Sequence, residues 1–191
     1  LEPLGHFCWK PGISGNLDKA EIRTPRLQLI PVRDKDAEDI FREFTTPISQ
    51  YMIPAPAESI AGIYAFIEQT TGRRGEGGEL IVAARRVEDR NFVGVIGLHA
   101  LLVPRRAEIG LWLAAYAHRQ GYGFEGCDAL LRWATQNIEL DVVEYPVDKS
   151  NLPSRKLAEK LGGRVAGERR QMAESGRLLD EVVYEIDMRS R

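Results

Sequence analysis

The chain is poor in the residues that mark several functional classes. Only two of its 191 residues are cysteine and three are histidine. Cys8 and Cys127 lie far apart and share no metal-ligand spacing with the histidines, so no metal site is expected. Cys127 falls on the apolar side of a helical pattern, which argues against a disulfide and for a reducing, cytoplasmic setting. No apolar run approaches the length of a membrane span, so no membrane partner is expected. Lysine and arginine number 26 against 28 aspartates and glutamates, and this near-balance gives no reason to expect nucleic acid as a partner. The opening LEPLGHFCWKPGISGNLDKAEI lacks the basic start, apolar middle and small-residue cleavage site of a signal peptide. Internal repeats and long linkers are missing too. One domain over 24–191 is therefore expected, preceded by an arm at 1–23 that is either ordered or flexible.

What is present alternates between the two secondary-structure periods. RLQLIPV at 26–32 reads as a strand, with Leu27, Leu29 and Pro31 on one side. Asp34 or Asp36 opens a helix carrying Ala37, Ile40, Phe41 and Phe44, and PAPAE at 54–58 precedes a second helix over 58–71. GRRGEGG at 72–78 reads as a loop by its glycines and charges. Runs at 79–85, 91–102 and 106–115 are strand-like and joined by connections too short for a crossover helix, so they form an antiparallel meander. A helix then carries Cys127, Leu130, Leu131 and Ala134 on one face, and a strand follows at 141–147; this unit is long enough for one parallel crossover. NLPSRKLAEKLGG at 151–163 is a short helix closed by Gly162 and Gly163. RVAGERRQM and LLDEVVYEIDM form a final hairpin across SGR. The fold class is α/β with a mixed central sheet.

Residues 118–126, HRQGYGFEG, contain a literal G-x-G-x-x-G at Gly121, Gly123 and Gly126. The pattern flags dinucleotide binding when a strand turns directly into it, and Asp148 lies where a ribose-binding acid would belong. Three observations oppose that reading. AAYAHRQ separates the apolar strand from Gly121, the preceding strands are antiparallel, and only some forty residues follow Asp148. A long arc ending in glycines at a helix start suits a diphosphate in another way. Backbone N–H groups from about Arg119 to Gly123 point inward at the positive end of the helix dipole, and the absent side chains let oxygens approach. Gly126 then serves helix packing.

The span AEIGLWLAAYAHRQGYGFEGCDALLRWA…NLPSRKLAEKLGG resembles the GNAT acyl-CoA N-acyltransferase superfamily, closest to the branch of ribosomal-protein N-terminal acetyltransferases. The resemblance covers roughly residues 24–188. It implies a GNAT-like sheet whose parallel pair splays apart at the coenzyme A site, with helices on both faces. It also implies acetyl-CoA as cosubstrate, held by Leu111, Trp112, Leu113, His118, Arg119, Gln120, Gly121, Tyr122, Gly123 and Asn151. His118 stands where the family most often has Gln or Arg. Gly163 replaces a common aromatic, and Ala158 falls about where many members carry the tyrosine that protonates the leaving thiolate.

The implied reaction is direct attack of a primary amine on the thioester in a ternary complex. Ser154 is the candidate hydrogen donor to the sulfur, although a serine there also caps a helix. Glu108 is the candidate base, on the strand face it shares with Gly110 and Trp112; a solvated carboxylate is the rival reading. Glu125 reads as structural, and His99 as packed or exposed. Trp112, Tyr116, Tyr122 and Trp133 line the site or belong to the core. Arg155, Lys156 and Lys160 either meet the nucleotide's 3′-phosphate or form a solvated helix face. The acceptor, a small molecule or a peptide N-terminal amine, would sit among the first two helices and the loops at 46–58, 72–78 and 171–178. Monomer and homodimer remain open. The rivals from other classes are a non-catalytic acyl-CoA-binding module and a nucleotide-binding oxidoreductase.

Overall fold

The computed structural model describes residues 5–191; the first four residues of the expected arm lie outside the described residues. Two short strands open the sheet, β1 (Ile22–Arg23) and β2 (Leu27–Pro31). Helices α1 (Ala37–Glu43), α2 (Thr46–Ser49) and α3 (Ile60–Gly75) follow. The meander is β3 (Glu79–Arg86), β4 (Phe92–Ala100) and β5 (Arg106–Leu113). Then come α4 (Tyr122–Asn137), β6 (Val142–Asp148), α5 (Leu152–Lys160), β7 (Arg164–Met172) and β8 (Leu178–Asp187).

The eight strands form one sheet in the order β1-β2-β3-β4-β5-β6-β8-β7. Every neighbouring pair is antiparallel except β5–β6. A single parallel pair matches the expected mixed sheet and is far from the parallel halves of a dinucleotide fold. The final hairpin folds back so that its second arm, β8, lies beside β6 and its first arm becomes the edge.

Helices cover both faces. On one, Ile40 of α1 and Ile63 and Ile67 of α3 pack on Ile81, Ala83 and Val95. On the other, Cys127, Leu130, Leu131 and Ala134 of α4 pack on Leu29, Val82, Ile96, Ile109 and Val143. Strands buried on both sides read as continuous apolar runs, which is why β3 and β4 show little alternation in the sequence. Each fully buried Leu or Ile contributes about 1.5–3 kcal/mol of transfer free energy, so this double layer dominates the fold's stability.

Two expectations need correction. The helix expected to stop at residue 71 continues to Gly75, leaving a much shorter loop than GRRGEGG. The reason is tertiary: Arg74, buried in the last turn, donates from Nε to Asp18 (3.0 Å) and from Nη2 to Thr71 (3.1 Å), which outweighs the glycine signal. The stretch 46–58 is not wholly loop, since Thr46–Ser49 form a turn of helix with Pro47 in its first turn.

The described part of the arm lies against the domain. Phe7 N–H donates to Gly77 O (2.8 Å), Glu139 N–H to Cys8 O (2.8 Å), and Trp9 meets Trp133 edge-on at 6.3 Å. Leu17, Ala20 and Ile22 are buried in the core. Among the described residues no helix is long and apolar enough to cross a membrane.

Candidate active site

The parallel strands β5 and β6 pair at only three positions, Arg106↔Val142, Ala107↔Val143 and Glu108↔Glu144. Beyond Glu108 and Glu144 both strands run on without pairing to each other, so the sheet forks. On its other side β5 pairs with β4 along its length, and the ladder is closed by Leu101 N–H to Arg106 O (3.0 Å) and Ala114 N–H to Val93 O (2.9 Å). Antiparallel alternation then commits the main chain of Glu108, Gly110 and Trp112 to β4 and turns that of Ile109, Leu111 and Leu113 toward the fork. The open edge thus belongs to Leu111 and Leu113. Trp112 lies differently: its backbone faces Val95 of β4, and its ring packs at 4.9 Å from Phe44 and 5.7 Å from Phe92.

At the end of β5 the chain makes a short 3₁₀ turn at Ala115–Ala117 and enters the glycine loop. The His118 ring folds back, its Nε2 3.0 Å from the Leu113 carbonyl, and Gln120 Nε2 donates to Tyr116 O (2.6 Å). Arg119 has φ 60° and Gly121 φ 82°, both left-handed. Left-handed residues alternating with an ordinary one curl the amides of the arc inward, the concavity that binds anions. Glu125 is the first amide of α4 to find a carbonyl, that of Gly121 (3.1 Å). Tyr122, Gly123 and Phe124 before it present the unpaired donors of a helix start. A Cβ on Gly123 would sit 3.3 Å from Leu157 and 3.5 Å from Leu111, so this glycine lets α4, α5 and β5 meet beside the fork. Gly126 faces the sheet instead, where a Cβ would lie 2.5 Å from Ile96 Cδ1.

A brace holds the arc from the far side. Arg26 donates to Gln120 O (3.0 Å) and Glu125 (2.6 Å), with its guanidinium 4.6 Å from the Tyr122 ring centroid. Glu125 also accepts from Thr24. Burial pushes the Glu125 carboxyl up, but the hydrogen bonds from Thr24 and Arg26 outweigh it and hold it below its ordinary value. Tyr122 is buried in the core beneath this brace. Outside it, a groove of about 720 Å³ runs along α4 between Arg26, Phe124, Trp133 and Lys160, away from the fork. Lys160 Nζ stands 4.2 Å over the Phe124 ring, whereas Arg155 turns inward to Tyr184 Oη (3.1 Å).

On the α4 face of the fork stand two hydroxyls. Ser154, in the first turn of α5, has its Oγ 2.8 Å from Tyr145 Oη of β6. Its N–H donates to Asn151 Oδ1 (3.3 Å), so the Asn151 oxygen caps the helix. Ala158, one turn on, is fully buried.

The opposite face of the fork is acidic and braced by arginines. Glu108 accepts from Arg169 (2.9 Å), which also donates to Glu181 (2.7 Å). The loop at 46–58 reaches this face: Glu174 N–H donates to Ile53 O (2.8 Å), and Arg177 lies over the Tyr51 ring. The 72–78 segment is elsewhere, at the end of the molecule where Gly77 meets Phe7. His99 is packed, its Nδ1 3.0 Å from buried Glu79. Asp148, the residue at the ribose-acid spacing, accepts from Ser150 N–H (2.9 Å) and Asp180 N–H (3.3 Å), closing a turn.

Sequence reasoning missed Arg26, Arg169 and Tyr145. The first two act across 99 and 61 residues of separation respectively; only the alternation of VVEYPV signalled that Tyr145 points inward.

A family model described as the acetyltransferase (GNAT) domain matches residues 26–164. A Bacillus subtilis (strain 168) protein provisionally named ribosomal N-acetyltransferase YdaF is 33% identical over 82 residues, which make up 42% of this chain and 45% of that relative. The match thus spans less than half the length of that relative. Among solved structures, Mycobacterium smegmatis RimJ in complex with CoA-disulfide is 20% identical with a TM-score of 0.77, over 90% of this chain and 87% of RimJ. RimL, a ribosomal L7/L12 alpha-N-protein acetyltransferase in complex with coenzyme A, is 15% identical with a TM-score of 0.79, over 88% of this chain and 98% of RimL. At such identities these likenesses speak for the fold alone.

Proposed function

The chain belongs to the GNAT acetyltransferase family, and from that premise we propose that it moves an acetyl group from acetyl-CoA to a primary amine by direct attack in a ternary complex. The observation that carries this reading is continuity. An arc at 119–124, left-handed at Arg119 and Gly121, leads into the free edge of β5, and that edge ends at a fork where a serine hydroxyl stands. From Leu113 back to Ile109 is four residues of strand, about 13 Å at ~3.3 Å per residue, comparable to an extended pantetheine arm.

The chain's residues fit such a cosubstrate. The amides of Gln120 to Phe124 would take the diphosphate, with Arg119 adding charge. Leu111 and Leu113 would bond the pantetheine amides as an added strand does, and the Asn151 amide would bond the same arm or a water. Lys160, beside Phe124, suits the nucleotide's phosphate; Arg155, turned to Tyr184, does not. When bound, acetyl-CoA supplies a thioester carbonyl that an amine can attack. An N–H of β5 at the fork donates to the charge that develops on the carbonyl oxygen. Ser154 donates a hydrogen bond to the departing sulfur. The proton shed by the amine balances the one the thiol gains. Glu108 lies on the opposite face from Ser154 and receives the amine's proton directly or through water. Its bond to Arg169 fixes the direction of the carboxylate.

The acceptor reading is a peptide or protein amine. It rests on the relatives, which carry the names of ribosomal-protein acetyltransferases, and on the acidic face that would meet an ammonium. The test is release of free thiol from acetyl-CoA with short free-N-terminal peptides, spermidine and glycine amide, alongside thermal shift with CoA, acetyl-CoA and NADPH. Amine-dependent release and protection by CoA are expected. Protection by CoA without amine-dependent release would make the chain a binding module, and protection by NADPH alone would refute the coenzyme assignment.

A further inference from the structure

We propose that Tyr145 is a positioning residue for the Ser154 hydroxyl, aiming its proton into the fork. The inference rests on the reading of Ser154 as the donor to the departing sulfur. Tyr145 is the first residue of β6 beyond the last paired position, Glu108↔Glu144, so it stands at the point where the strands part. Its ring is 2% exposed, in the layer that holds Cys127 and Ala158, and its hydroxyl meets Ser154 Oγ at 2.8 Å.

A buried phenol must hydrogen-bond, and here the partner is one hydroxyl. Two O–H groups in contact have two protons for a single shared bond, so one proton is left to point elsewhere. Which one is decided by burial. Burial pushes the Tyr145 phenol well above its ordinary value, so it keeps its proton, and a proton pointed away from Ser154 would face an apolar core. Tyr145 therefore donates and Ser154 accepts, which frees the Ser154 proton toward the half-exposed side where the fork opens. Accepting a hydrogen bond also makes a hydroxyl a stronger donor. Without Tyr145, a serine in the first turn of a helix turns its hydroxyl onto nearby backbone. Tyr145 gives up no proton during turnover; it holds the group that does the donating.

The test has two arms. In turnover, Tyr145→Phe lowers kcat by about three- to tenfold, the worth of one neutral hydrogen bond, with CoA affinity and melting temperature nearly unchanged. Ser154→Ala lowers kcat by about tenfold or more, and adding Tyr145→Phe to it changes kcat by less than about twofold. Tyr145→Met, which fills the site without a hydroxyl, carries the same expectation. Equal losses from Tyr145→Phe in both backgrounds would mark a merely structural role and overturn the proposal. An unimpaired Ser154→Ala would sink the Ser154 reading and the proposal with it.

The second arm needs no acceptor. Ser154→Cys, with Cys8→Ser to remove the exposed thiol, is alkylated by iodoacetamide across pH. A donor at Tyr145 stabilises the thiolate, so the alkylation midpoint lies at lower pH than when Tyr145→Phe is added. Identical midpoints would overturn the proposal even if the chain proves an acetyltransferase. A shifted midpoint in a chain without turnover would uphold the geometry and refute the function.

Discussion

Gly126 offers the sharpest test of which glycines bind and which pack. In Gly126→Ala the new methyl would lie 2.5 Å from Cδ1 of Ile96, a residue with no exposure at all. The remaining contacts, 3.6 Å to Leu27 and 3.9 Å to Ile96 Cγ1, are ordinary, so one methyl group carries the whole conflict. Overpacking of this kind costs about 1–3 kcal/mol. Against it stands the gain from replacing glycine inside a helix, about 0.8–1 kcal/mol. The net is a destabilisation of about 1 kcal/mol, a fall in Tm of roughly 2–4 °C for a domain of this size.

Ile96→Val removes the conflicting atom. Alone it costs about 0.5–1.5 kcal/mol. In that background the clash is gone and the propensity gain remains, so Gly126→Ala now stabilises by about 0.8–1 kcal/mol. The same substitution changes sign between the two backgrounds. Thermal and urea unfolding of the four proteins measure this directly, and calorimetry should find CoA affinity within about twofold throughout, because the amides at 122–124 are untouched. A tenfold loss of CoA affinity with unchanged stability would place Gly126 in the phosphate cradle and refute the packing account. The same sign in both backgrounds would refute the steric one.

Two other outcomes follow from buried groups. Burial pushes the Glu79 carboxyl up, yet hydrogen bonds from His99 and Thr70 outweigh that and hold it below its ordinary 4.5. A depressed carboxylate stabilises above its unfolded pKa and loses that contribution as pH falls through its folded one, so the Tm advantage of wild type over Glu79→Gln should be full at pH 7 and shrink below about pH 4.5; an advantage that grows on acidification would contradict the sign. Cys127 is wholly buried and its thiol is pushed up to about 12, while Cys8 is exposed. A colorimetric thiol reagent should therefore titrate one thiol in the native protein and two after denaturation; fast reaction of both would mean that α4 opens easily.

How much the sequence disclosed depends on whether the signal was local. The meander was legible because the connections at 87–91 and 101–105 admit nothing but antiparallel neighbours. The arc was legible because glycine at 121 is demanded by a left-handed φ that few residues tolerate. The end of α3 was misread because Arg74 is anchored by Asp18, a partner 56 residues away that no window of the helix contains. Glu108 was correctly placed on the face of Gly110 and Trp112, but its guanidinium clamp comes from a strand three positions across the sheet. Tyr145 sits between these cases. Its inward direction follows from strand alternation, since Val143 and Val147 are buried with it. Its partner does not, because the reach from β6 to the first turn of α5 depends on where pairing with β5 stops. The fork sets that point, and a fork is a property of two strands together. The arrangement with most bearing on the chemistry is therefore the one that the order of residues along either strand leaves undetermined.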